Sequence, residues 1–113
     1  MSDERLPAAL EVSALIRRTQ AQGDFATVLR KGDADRGAIL LLITSRGVDV
    51  AILQRRITAD GRYRWAQVEP ESIGSGDFKR FVDAQVRFDE DIWVIELDIP
   101  STERFIAETI AEG

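Results

Sequence analysis

With 113 residues, 44% of them hydrophobic and 31% charged, the chain is long enough for one folded core, short for two, and too apolar to be disordered. Twenty acids against fifteen bases give a formal net charge of -5, which repels a phosphate backbone and argues against a nucleic-acid partner. Histidine and cysteine are both absent, which excludes disulfides, a thiolate nucleophile, and the commonest general base and transition-metal ligand.

Residues 1–7 read as an extended arm ending at Pro7, without the apolar core of a signal segment, and residues 8–113 as one domain. Ala8 to Gln22 is expected to be a helix, because Ala8, Val12, Leu15, Ile16 and Thr19 recur at helical spacing. Gly23 stands where a C-terminal cap belongs. Phe25 to Arg30 has strand composition, and Gly32-Asp33-Ala34-Asp35-Arg36-Gly37 reads as a turn. Ala38 to Thr44, the most continuous apolar stretch, predicts a central strand covered on both faces; its length is far below a membrane span.

Ser45-Arg46-Gly47 is a second turn, and Val48 to Ile57 a longer strand with Ala51, Leu53 and Arg55 on one face and Val50, Ile52 and Gln54 on the other. The Asp60-Gly61 pair then favours a hairpin back along Tyr63 to Val68. Phe25 to Val68 thus reads as a four-stranded antiparallel meander. After the loop Glu69–Gly76, with Ser75 as a candidate cap, Asp77 to Phe88 is expected to be a helix. Ile92 to Ile99 is a strand with Trp93, Ile95, Leu97 and Ile99 on one side, stopped by Pro100; a short last helix begins at Ser101. The order α-β-β-β-β-α-β-α argues for an α+β domain: an antiparallel sheet of about five strands with helices packed on one face.

Two segments resemble a known family. Val12-Ser13-Ala14-Leu15-Ile16-Arg17-Arg18, Gly23, Phe25-Ala26-Thr27-Val28 and Gly32-Asp33-Ala34-Asp35-Arg36-Gly37 are similar to the opening of a family of short, mainly alphaproteobacterial proteins catalogued only as a domain of unknown function. Phe88-Asp89-Glu90-Asp91-Ile92-Trp93-Val94-Ile95-Glu96-Leu97-Asp98 is similar to its C-terminal signature. The resemblance implies a bacterial cytoplasmic protein and carries no activity and no functional residues.

Few side chains suggest chemistry. Asp33-Ala34-Asp35 fails the calcium-loop pattern, since its fifth position is Gly37 and its twelfth Thr44, so a turn with solvated carboxylates is expected and no metal. Glu96 and Asp98 share a strand face, and with Arg17, Arg18 and Arg55 they form the candidate ligand-binding set. The plainer reading of Arg17 and Arg18 is pairing with acids such as Glu11 or Asp24. Tyr63 and Trp65 are candidates for an interface or for core packing beneath a helix. The serines lack a base and an elbow motif, so no catalytic residue and no cofactor is assigned. These features favour a soluble, cytoplasmic, non-catalytic interaction module that docks an unknown protein partner or dimerises, with an edge strand as a pairing surface and no membrane or nucleic-acid partner. The alternative is a small-ligand binder or enzyme using carboxylates and arginines beside the sheet.

Overall fold

The computed structural model describes residues 6–57, 59–74 and 77–112. Helix α1 (Ala8–Ala21) is followed by strands β1 (Phe25–Arg30), β2 (Ile39–Ser45), β3 (Val48–Ile57) and β4 (Tyr63–Gln67). Helices α2 (Pro70–Ile73) and α3 (Phe78–Phe88), strand β5 (Trp93–Asp98) and helix α4 (Thr102–Glu112) complete it. The α+β class and the element order match the expectation. The short α2 is an addition: Pro70 starts it at the first turn and Gly74, with φ of 81°, ends it. Ser75 lies outside the described residues; Asp77 caps α3, its carboxylate accepting the Arg80 amide at 3.1 Å.

The sheet order is β1-β5-β2-β3-β4. This corrects the four-stranded meander. Strands β2, β3 and β4 do form antiparallel hairpins, but β5 lies between β1 and β2, antiparallel to the first and parallel to the second. The reason lies in the side chains. Ile39-Leu40-Leu41-Leu42-Ile43 and Trp93-Val94-Ile95 are apolar on both faces, so each needs a neighbouring strand on either side and a layer above and below. The central positions go to these two strands, and β1 takes an edge.

The single-face helix layer is also corrected. Helices α1 and α4 cover one face, where Val12, Leu15, Phe105 and Ile106 pack on Leu41, Ile43, Leu53, Trp93, Ile95 and Leu97. Helix α3 covers part of the other, where Phe78, Phe81, Val82 and Val86 pack on Leu40, Ile52 and Val94. The strand alternation that sends Leu53 one way sends Ile52 the other, and both are fully buried.

Because β5 separates β1 from β2, residues 31–38 are not a hairpin turn. They straddle the entry of β5. The Asp33 amide donates to the Asp91 carbonyl at 2.9 Å, the Trp93 indole N–H to the Asp33 carbonyl at 2.7 Å, and the Trp93 amide to the Ala38 carbonyl at 2.8 Å. A Cβ at Gly32 or Gly37 would strike the Asp91 carbonyl oxygen and stand 2.7 or 2.8 Å from the Trp93 ring, so the loop closes only on hydrogen there. The same loop caps α1. The Ala34 and Asp35 carbonyls accept the Ala9 and Ala8 amides at 2.8 and 3.2 Å, replacing the side-chain cap that Pro7 cannot provide. The Asp33 carboxylate accepts the amides of Asp35 and Arg36, the geometry of a turn.

Candidate functional site

The two helices on the larger sheet face do not close against each other. Between α1, α4 and the β3–β4 end of the sheet lies a cleft of about 830 Å³. Leu15, Ile39, Ile99 and Phe105 supply its apolar lining, and Glu11, Arg55 and Trp65 its polar floor. Each of these three arrives by simple periodicity. Glu11 is on the α1 turn that also buries Ala8, Val12 and Leu15. Arg55 follows Ala51 and Leu53 on the same face of β3, and Trp65 is its direct partner on β4.

Arg55 Nη1 donates to Glu11 Oε2 in a close ion pair, with side chains only 20% and 13% exposed. The guanidinium carbon lies 5.5 Å from the centre of the Trp65 ring, within cation–π range. Arg55 Nε is buried with no hydrogen-bond partner among the described residues. A half-buried pair that keeps an unsatisfied donor is costly to the fold, and such costs concentrate at functional sites. At the rim are Arg18 on α1, Asp24, and Arg104 and Glu108 on α4, the last two 3.1 Å apart. Three arginines thus face three carboxylates around the cleft, in a chain whose total charge is -5.

The candidate ligand-binding set is divided by the sheet. Arg18 and Arg55 line the cleft. Arg17 is exposed on α1 and is not part of the lining. Glu96 and Asp98 follow Val94 on the opposite face of β5, so the sheet stands between them and Arg55. Both have structural partners. Asp98 Oδ1 and Oδ2 accept the amides of Arg46 and Gly47 at 2.8 and 3.0 Å, holding the β2–β3 turn in which both residues have positive φ. Glu96 Oε2 accepts the buried Thr44 hydroxyl at 3.3 Å. Trp65 is half-buried in the cleft, and Tyr63 is half-buried two residues earlier on β4. Glu11, weighed in the sequence as a partner of Arg17 or Arg18, pairs instead with Arg55, 44 positions away. Its signal was a carboxylate on the buried side of an amphipathic helix, where a solvated acid does not belong.

Among the described residues no three His, Cys, Asp or Glu side chains are grouped to hold a metal, and no helix is long and apolar enough to cross a membrane.

The chain has no match among curated proteins. Solved structures do resemble it. The crystal structure of a DUF1491 family protein from Caulobacter crescentus has a TM-score of 0.74 at 35% identity, over 84% of this chain and 89% of that one. The NMR structure of a DUF1491 family protein from the same organism has a TM-score of 0.74 at 36% identity, over 85% and 87%. The solution structure of protein Atu0922 from A. tumefaciens has a TM-score of 0.68 at 29% identity, over 87% and 89%. The family model described as "Protein of unknown function (DUF1491)" matches residues 6–107, and the chain belongs to that family.

Proposed function

We propose that this chain is a small-molecule-binding protein whose ligand occupies the cleft between α1 and α4. The observation that carries this reading is the Glu11–Arg55–Trp65 cluster at the floor of an apolar-lined hollow of about 830 Å³, a size that suits a small organic molecule. The balance of three arginines and three acids favours a neutral or zwitterionic compound with an apolar body, and disfavours a polyanion. The apolar part would lie on Leu15, Ile39 and Phe105, and the polar end would meet Arg55 and Glu11. With neither imidazole nor thiol in the chain, binding without bond-making is the simpler role.

The test is an amide-resonance NMR screen of the whole chain against small zwitterionic and neutral amphipathic compounds, with pyrophosphate as the polyanionic control. Binding should perturb amides of α1, α4 and β4, and Trp65→Ala should remove it while the fold persists. Failure of the whole set to bind, perturbation confined to other surfaces, or binding by pyrophosphate alone would count against this reading.

A further inference from the structure

We infer that β1 is a self-association edge, where two copies of this chain pair their β1 strands antiparallel and join their sheets. Among the described residues, strand β1 ends the sheet and is hydrogen-bonded on one side only, to β5. Its outer side therefore presents unpaired backbone N–H and C=O groups. Natural edges are usually defended by charge, proline or a β-bulge. In β1 the charge of Arg30 and the bulge between Val28 and Arg30 guard only the last positions, and Phe25-Ala26-Thr27-Val28 carries no such device.

The exposure pattern points to a strand as the occupant. Phe25 is 73% exposed, Leu29 50% and Val28 42%. Phe25, opposite Asp98, and Val28, opposite Ile95, lie on different faces of the sheet. A helix or small molecule docked on one face would cover only one of them. A strand laid alongside covers both, because its own side chains alternate.

The charges point to a second copy. Asp24 precedes the uncharged stretch and Lys31 follows it, and neither has an ion-pair partner among the described residues. Arg30, beside Lys31, already donates through Nη2 to the Glu90 carbonyl at 2.7 Å. When a strand pairs antiparallel with itself, its first end meets the last end of the other. Asp24 then approaches the partner's Lys31, and twofold symmetry makes that contact twice. Parallel pairing would set like charges together. The β-bulge between Val28 and Arg30 shortens the regular ladder to Phe25–Val28, so the interface is small and the association weak.

Sedimentation equilibrium of the full chain at low salt, up to about 1 mM, should show reversible dimers. Asp24→Lys and Lys31→Asp should each weaken self-association about tenfold, because each places like charges at both ends of the pairing. Mixed in equal amounts, the two variants should form a heterodimer about as stable as the parent dimer, since every lysine then meets an aspartate. Phe25→Ser should weaken dimers without lowering the melting temperature, its side chain being solvated in the monomer. A parent chain that stays monomeric throughout would overturn the inference. So would charge variants that dimerise as the parent does, or a mixture that forms no heterodimer.

Discussion

The two faces of the sheet are built on different scales. Among the described residues, the α1/α4 face gathers twelve buried side chains, whereas the α3 face gathers five. Helix α3 buries none of its own residues fully, although Phe78, Phe81, Val82 and Val86 all point to the sheet. The larger face can therefore tolerate a hollow and a half-buried ion pair. The smaller face uses its acids differently: Glu96 and Asp98 tie a hydroxyl and a turn to the fold. The acids of the two faces thus do different work: Glu11 of α1 pairs with a cation in a hollow, whereas Glu96 and Asp98 of β5 hold a hydroxyl and a turn.

Neighbouring residues on β3 give the most direct way to break that comparison. Leu53 and Ile52 are both fully buried, on opposite faces. Leu53→Ala should cost about 4 kcal/mol and Ile52→Ala about 3 kcal/mol in urea unfolding, because the thinner α3 layer can settle into the space left. Equal costs, or the reverse order, would show that both faces are equally packed. A companion measurement is hydrogen exchange, in which α3 amides should open at lower free energy than those of α1.

Glu11→Gln should cost about 2 kcal/mol, because it leaves the Arg55 guanidinium half-buried without its counter-charge. The substitution is this costly only if the surroundings of Arg55 are fixed, so a cost near zero would show that Arg55 moves freely to solvent. Asp98→Ala should cost about 1 kcal/mol and should shift the Arg46 and Gly47 amide resonances, which lose their acceptors. Unchanged amide shifts would remove the turn-holding role. Lys79→Ala should change stability by less than about 0.5 kcal/mol, since its i,i+4 pair with Asp83 at 3.1 Å is solvated. A larger loss would mean that the outer surface of α3 contributes more than its exposure indicates.

How much was legible depended on the range of the interaction. The α1 stripe of Val12, Leu15 and Thr19 is legible in the sequence, because a helix face repeats every three or four residues. The Ser45-Arg46-Gly47 turn was also visible, since a tight turn draws on a few residue types. The acid that clamps it was not, because Asp98 is more than fifty positions away. The two family-like segments read as separate features, yet Gly32 and Gly37 press directly on Asp91 and Trp93. Glycine records that hydrogen is required at a position; it does not say which distant backbone requires it. The cleft was the least legible element, because Glu11, Arg55 and Trp65 come from three elements whose adjacency is set by strand order.

The sequence by itself determined where the strands and the longer helices form, which side of each is apolar, and which chemistries lack their reactive groups, because these follow from local periodicity and side-chain type. Only the tertiary structure decided that β5 enters the middle of the sheet, that helices cover both faces, that Glu96 and Asp98 part company from Arg55, and that β1 becomes an edge. Strand order is chosen by burying the two strands that are apolar on both sides, and that choice is made by the whole chain at once.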